Sequence, residues 1–267
     1  MVSHSVLILA GRRGGALDPL AANAGVSHKC LVPVLGIPLI ERTVRIVAEA
    51  FPESPLFISI EDEEVVRNLP RVSELIASGR LKLLQAETNL VDSVLNAVQA
   101  TGLPLLITTG DNVLMTVEAV RRVPVEARLR GVDALASMTR KESILAAHPE
   151  GEIFFFRFRD GEYSNCNMFW LANDKALGAL RFFAEGGQFA KKPKRILKAF
   201  GILNLIRYRF RWHSLPGMMA HLSRRFGFKM QVVVMPEGRL AIDVDDERTK
   251  RVAEALLARE EGQAPPA

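Results

Sequence analysis

The apolar run Val6-Leu7-Ile8-Leu9-Ala10 breaks abruptly into Gly11-Arg12-Arg13-Gly14-Gly15, and this junction constrains the chain more than any other feature. A short, continuous apolar segment ended by glycine reads as a buried strand, Ser5 to Ala10. In open α/β sheets ligands bind at the carboxyl ends of the strands, where this loop lies. Glycines let backbone N–H groups approach phosphate oxygens, and arginines supply the matching charge. The loop is neither a Walker A sequence, since no Gly-Lys-Ser/Thr follows, nor a G-x-G-x-x-G fingerprint.

Beyond the loop, strand and helix patterns alternate. Pro38 opens a helix running to about Ala50, with Leu39, Ile40, Val44 and Val47 on one face. Strands are expected at Leu56 to Ile60, Leu81 to Leu84 and Leu105 to Thr108, with helices at Glu61 to Asn68, Val91 to Thr101 and Val117 to Val123. This order argues for βαβ units and a mostly parallel sheet. The second half changes character. Val132 to Thr139, Ile153 to Arg159 and Asn167 to Leu171 read as strands between polar turns. Asp174 to Glu185 reads as a helix, and Lys194 to Arg225 as largely helical with a break near Ser214 to Gly217. Met230 to Val234 and Leu240 to Ile242 read as strands, and Asp246 to Arg259 as a closing helix. The expected architecture is a three-layer α/β/α fold with a mostly parallel mixed sheet. It forms one domain, 1–260, with halves 1–125 and 126–260, and 261–267 is expected to be a disordered tail.

Composition sharpens this reading at two points. The chain is 48% hydrophobic and 24% charged, which supports a sizeable core and excludes a disordered or fibrous chain. Its net charge of +5 is unevenly placed: residues 189–229 hold eleven Lys or Arg and no Asp or Glu, leaving 24 of the 35 basic residues against all 30 acidic ones. The chain is therefore a mildly acidic protein with one strongly basic segment. Two cysteines, Cys30 and Cys166, are too few for a disulfide framework, so a reducing, cytoplasmic location is expected. The first apolar run is too short for a secretory signal, and no run approaches the ~20 apolar residues of a membrane span.

Three further motifs carry chemistry. Ser27-His28-Lys29-Cys30-Leu31-Val32-Pro33-Val34-Leu35-Gly36-Ile37-Pro38-Leu39 follows the glycine loop. Thr109-Gly110-Asp111-Asn112 follows an apolar strand, where a carboxylate either holds a divalent cation or caps a helix. Ile242-Asp243-Val244-Asp245-Asp246 precedes the last helix; alternation places Asp243 and Asp245 on one side, with Asp246 the better cap.

Together these stretches resemble the MobA-like nucleoside-triphosphate transferases of the nucleotidyltransferase superfamily, with its Rossmann-like, GT-A-like fold. That family opens with a strand, Leu-Ala-Gly and a Gly/Arg-rich loop, then a lysine before Leu-x-Pro-Val-x-Gly-x-Pro-Leu. Lys29 holds the lysine position and Leu31 to Leu39 match the remainder. The resemblance holds over 3–125 and the late Asp motif, and is weak between Arg140 and Val232. It implies transfer of a nucleoside monophosphate with release of pyrophosphate. Leu9, Ala10, Gly11, Arg12, Arg13, Gly14, Gly15 and Lys29 would bind the nucleotide, and Lys29, Arg13 and Asp111 would be catalytic. Asp111, Asp243 and Asp245 would hold Mg²⁺ or Mn²⁺. Gln85, Asn89 and Ser93 fall where relatives contact base and ribose, although a plain capped loop explains each singly. Asn165 and Asn167 fall at the acceptor positions, where turn chemistry is an equal explanation. Relatives often carry an arginine where this chain has Ala16. Either Arg12 or Arg13 replaces it, or the protein binds nucleotide without turnover.

The acceptor expected from the resemblance is an anionic, phosphorylated small molecule: a polyol phosphate with CTP in first place, or molybdopterin with CTP or GTP. The basic segment fits a helical insertion over 189–229, with Lys191 and Arg195 at the acceptor. It also fits a peripheral membrane contact or adaptor or a subunit contact, in a monomer or homodimer. No nucleic-acid-binding pattern accompanies it. A glycosyltransferase of related architecture is a further rival, but its Asp-x-Asp falls mid-chain rather than late.

Overall fold

A computed structural model describes residues 4–12, 17–184 and 201–262. Arg13, Gly14, Gly15, Ala16, Lys191, Arg195 and the tail beyond 262, for which the sequence sets expectations, lie outside the described residues. The elements in chain order are β1 (Ser5–Leu9), α1 (Pro19–Asn23), β2 (Pro33–Val34), β3 (Ile37–Pro38), α2 (Leu39–Ala50), β4 (Leu56–Ile60), α3 (Glu64–Arg67), α4 (Pro70–Ala77), β5 (Leu81–Gln85), α5 (Leu90–Thr101), β6 (Leu105–Thr109) and α6 (Val117–Arg130). There follow β7 (Ala134–Arg140), α7 (Lys141–Ala147), β8 (Phe156–Phe158), β9 (Gly161–Leu171), α8 (Asp174–Ala184), α9 (Ile202–Arg209), α10 (Leu215–Phe226), β10 (Met230–Met235) and α11 (Glu247–Glu260).

One mixed sheet runs in the order β10-β7-β9-β6-β1-β4-β5, with β8 paired to β9. β6, β1, β4 and β5 are parallel, as are β7 and β10; β9 runs antiparallel between β6 and β7. The central strands are mostly apolar on both faces, because helices cover both sides of the sheet. β4 is buried at all five positions. On one face Val6, Ile8, Ile58 and Trp170 pack with Val44 and Val47 of α2, Val120 and Val123 of α6, and Val252 of α11. On the other, Leu7, Phe57, Leu105 and Ile107 meet Val94 of α5 and Leu177 of α8. Further along that sheet, Met138 and Tyr163 pack with Leu215, Met218 and Leu222 of α10 and Tyr208 of α9.

Several expected boundaries shift. α6 continues seven residues past Val123, through Pro124 to Arg130, and ends on the left-handed Gly131. Proline removes one helix N–H, but Val120, Val123, Pro124 and Ala127 are all buried, and their packing keeps the helix running. The strand expected from Ile153 is cut to Phe156–Phe158. The Glu152 carboxylate accepts the backbone N–H groups of Ile153 (2.6 Å) and Phe154 (2.8 Å), which leaves those donors satisfied outside any ladder. Leu240 to Ile242 is not a strand. Residues Gly238–Ala241 make a 3₁₀ turn pressed against α7, where a Cβ on Gly238 would sit 1.9 Å from the Ser143 carbonyl oxygen. α1, α4, α7 and the small β2–β3 hairpin had no counterpart in the sequence reading. β9 starts six residues before Asn167 and bulges against β7 between Ala136 and Met138.

Candidate functional site

The carboxyl ends of β1, β4, β6 and β7 open on one edge of the sheet, and antiparallel β9 brings its first half to the same edge. Gly110 follows β6 and donates its N–H to the Leu9 carbonyl at 2.9 Å. A side chain there would press on Ile40 at 3.1 Å and Ala10 at 3.4 Å, so glycine lets the two strand ends close up. Asp111 then leaves the sheet beside the end of β1.

Lys29 stands in the 3₁₀ turn Lys29–Leu31 that ends the long loop. Its ammonium donates to Asp111 Oδ2 at 2.5 Å and to Asp245 Oδ1. Asp245 comes from the segment before α11, whose Val244 N–H reaches the Asp111 carbonyl at 3.3 Å. Asp111 is therefore not a helix cap: Thr116 caps α6, and Asp246 caps α11 in a reciprocal pair with Thr249. Burial opposes the charge on Lys29, but Asp111 and Asp245 more than compensate and push its pKa up, so it stays protonated. Burial likewise opposes ionisation of Asp111, and the Lys29 ammonium overrides it, holding the carboxyl below its usual range.

Asp243 behaves oppositely. Burial, then the Asp111 and Asp245 carboxylates, push it well above the usual carboxylate range. Its Oδ2 accepts from the Asn167 amide. Asn167 takes a left-handed conformation (φ 48°) at the β9 bulge, and its Oδ1 accepts from Asn165 Nδ2 at 2.5 Å. Both asparagines thus belong to the same cluster as the aspartates, joined to it through Asp243.

Asp111 Oδ1 and Asp243 Oδ1 are buried with no hydrogen-bond partner among the described residues. Orphaned carboxylate oxygens beside a fixed cation fit a hard, oxygen-seeking ion. Among the described residues no three acidic, His or Cys side chains converge tightly enough to hold a metal alone. The remaining ligands would be triphosphate oxygens and water, the usual arrangement for Mg²⁺.

At the end of β4, Glu61 is a residue the sequence reading missed. It accepts from the Arg12 backbone N–H at 3.0 Å, from Arg12 Nε at 2.7 Å and faces His28 Nε2 at 3.1 Å. Burial resists its charge, but these donors, Arg12 foremost, hold its pKa below normal. The only sequence signal was its place directly after a strand. Gly11 lies against this carboxylate, where a Cβ would be 3.1 Å from Glu61 Oε2.

The expected base-contacting residues have internal bonds. Gln85 Nε2 donates to the Glu61 carbonyl at 3.1 Å. Asn89 caps α5, and buried Ser93 accepts from Glu87 N–H at 2.8 Å. All three shape the loop between β5 and α5. Cys30 and Cys166 are buried free thiols; burial pushes Cys30 up to about 12, so it is inert as a nucleophile.

A family model for the MobA-like NTP transferase domain matches residues 6–198. Among solved structures, a hypothetical transferase from Thermus thermophilus superposes with a TM-score of 0.75 at 22% identity, covering 94% of this chain and 100% of that one. A CMP:2-keto-3-deoxy-manno-octonic acid synthetase complexed with CTP gives 0.60 at 11% identity, over 97% and 99% of the two chains. A 4-diphosphocytidyl-2C-methyl-D-erythritol synthase from Anaerococcus prevotii gives 0.55 at 13%, over 96% of each. These structures share the α/β fold and its mixed sheet. No curated protein matches the sequence.

Proposed function

The chain belongs to the MobA-like NTP transferase family and is a nucleotidyltransferase, and from that premise we propose that it moves a nucleoside monophosphate from an NTP, CTP first, to a phosphorylated small molecule such as a polyol phosphate. The observation that carries this reading is the Lys29 ammonium clamped by Asp111 and Asp245 at the ends of β1 and β6, with the orphaned Asp243 oxygen in the same cluster. One protein of this fold is named as complexed with CTP and another as a 4-diphosphocytidyl-2C-methyl-D-erythritol synthase, which supports testing CTP first. Residues 1–125 form the nucleotide half and 126–260 the acceptor half.

An acceptor phosphate oxygen attacks the α-phosphorus; the new P–O bond forms as the bond to the β-phosphate bridge breaks, and pyrophosphate leaves. Lys29, permanently charged, neutralises charge developing at the α-phosphate. Arg12, Arg13 and the N–H groups of the glycine loop would hold the β- and γ-phosphates. Asn165 and Asn167 orient the acceptor. A Mg²⁺ or Mn²⁺ ion held by Asp111 and Asp243, with Asp245 nearby, would supply further charge neutralisation on the triphosphate. The catalytic contribution is positioning and electrostatics, with no covalent enzyme intermediate.

The test is pyrophosphate release with each NTP across phosphorylated acceptors, molybdopterin included. Release with one pair supports the reading; folded protein that releases none with any pair overturns it. A second reading, nucleotide binding without turnover, is favoured by the Glu61 ion pair that occupies Arg12. It predicts NTP binding by calorimetry with no release.

A further inference from the structure

Helices α9 and α10 flank an open, shallow cavity of about 600 Å³ whose lining includes Arg207, Arg224, His221, Asn204, Ile202 and Leu203. Its lining residues fall outside the region matched by the family model and include none of the residues around Lys29 and Asp111. Two of its cations have neutral partners. Arg207 donates to the Asn204 amide oxygen at 3.1 Å, and Arg224 faces His221 Nδ1 at 2.6 Å. His213 stacks obliquely on His221 at 4.3 Å.

On the other helices arginines have both neutral and acidic partners: Arg121 donates to the Ala50 and Glu49 carbonyls and Arg128 faces His4. Arg45, Arg67, Arg71, Arg122 and Arg130 each pair with a glutamate one turn away. Residues 189–229 contain no Asp or Glu to play that part. Arg207 is half-buried and Arg224 exposed, and among the described residues no carboxylate pairs with either, so both are open to an external anion. Burial and the neighbouring Arg207, His213 and Arg224 also hold His221 below its normal pKa.

The mouth of the cavity is apolar. Ile202 and Leu203 are 60% and 63% exposed at the start of α9. At its other end Phe210 and Trp212 are 63% and 57% exposed and stack at 5.9 Å. Four large apolar side chains standing in water within eleven residues, set among Arg207, Arg209 and Arg211, form an amphipathic surface. A soluble phosphate or a nucleic-acid backbone would be served by the arginines and gain nothing from exposed Ile202 and Leu203. A bilayer uses both, with the phosphate at the guanidiniums and the side chains among the acyl chains.

We infer that α9 and the cavity it forms with α10 are a docking site for an anionic phospholipid surface, the headgroup phosphate entering between Arg207 and Arg224 while Ile202, Leu203, Phe210 and Trp212 insert. The inference stands apart from the transfer reaction, because none of these residues belongs to the nucleotide or acceptor cluster. It would hold the enzyme at a membrane.

The experiment is flotation of the full chain with vesicles of phosphatidylcholine, alone or mixed with phosphatidylglycerol. The protein should float only with the mixed vesicles. Replacing both Arg207→Gln and Arg224→Gln should weaken binding about 30-fold, from roughly fivefold per cation near an anionic surface. Leu203→Ser and Trp212→Ala, at exposed positions that do not threaten folding, should each weaken it about tenfold. Melting temperature and CTP binding should be unchanged in all variants. Failure to float with mixed vesicles, equal flotation with pure phosphatidylcholine, or wild-type binding by the variants overturns the proposal. So does competition in which inorganic phosphate or a single-stranded oligonucleotide, but no vesicle, binds at Arg207 and Arg224. Loss of CTP binding by wild-type protein would count against the proposed enzyme activity and leave the flotation result standing.

Discussion

Replacing Asp243 by asparagine should make the protein more stable and less active at once. Asp243 Oδ1 is buried without a partner, and Asp111 and Asp245 are its charged neighbours. A buried, unsatisfied acceptor costs about 1–3 kcal/mol. In Asp243→Asn the remaining oxygen still accepts from Asn167, and an amide N–H₂ replaces the orphan and faces carboxylates that no longer repel it. The gain should be about 1–3 kcal/mol, or about 2–10 °C in melting temperature for a chain of this size. The sign with pH follows from the raised pKa. The folded state binds its proton more tightly than the unfolded chain, so wild-type Asp243 costs nothing below the ordinary carboxylate pKa of ~3.9. The penalty grows as pH rises from there through the folded pKa. The variant's advantage should therefore be larger at pH 8 than at pH 5. Calorimetric melts at the two pH values, with and without Mg²⁺ and CTP, measure it. Saturating ligand at ~100 times its dissociation constant should add about 2.7 kcal/mol to the wild type and much less to the variant, whose pyrophosphate release should fall at least ~10²-fold. A variant that melts below the wild type without ligand, or gains as much from Mg²⁺ and CTP, refutes the assignment of Asp243 to a cation site.

Four other outcomes are expected. Lys29→Ala should lower the turnover rate at least ~10²-fold in the pyrophosphate assay, because it removes charge from the transition state; unchanged turnover refutes its role. Arg12→Ala should raise KM for the NTP roughly tenfold while its melting temperature changes little, since Glu61 keeps His28 at 3.1 Å. His4 packs edge-on to Phe51 and Trp170, and burial, then Arg128, lower its pKa from 6.5 to about 4. The unfolded chain takes up this proton first, so the fold loses about 3 kcal/mol as pH falls from 6.5 to 4, and His4→Gln should flatten that part of the melting curve. Gly238→Ala would place a Cβ 1.9 Å from the Ser143 backbone oxygen and should destabilise by about 3 kcal/mol, read by denaturant unfolding.

What the sequence determined by itself was whatever depends on neighbours along the chain. The strand-to-glycine junction at Leu9 to Gly11, the lysine before Leu31 to Leu39 and the aspartates ending apolar or extended segments were legible because a strand end, a tight turn and a cap are local events. Asp246 as the cap of the last helix came from spacing alone. Boundaries failed where packing or a side chain overruled the local pattern, as at Pro124 and at the Glu152 carboxylate that ends pairing before Phe156. Only the tertiary structure decided which charges meet. Lys29 bridges Asp111 and Asp245, 82 and 216 residues away, because β1 and β6 are adjacent in the sheet and the segment before α11 crosses their ends. The bulge in β9 turns Asn167 onto Asp243, and parallel pairing of β1 with β4 sets Glu61 beside Arg12. Electrostatic energy depends on distance and burial, and both are properties of the folded sheet, so the same residue type is held ionised at Asp111 and pushed toward its neutral form at Asp243.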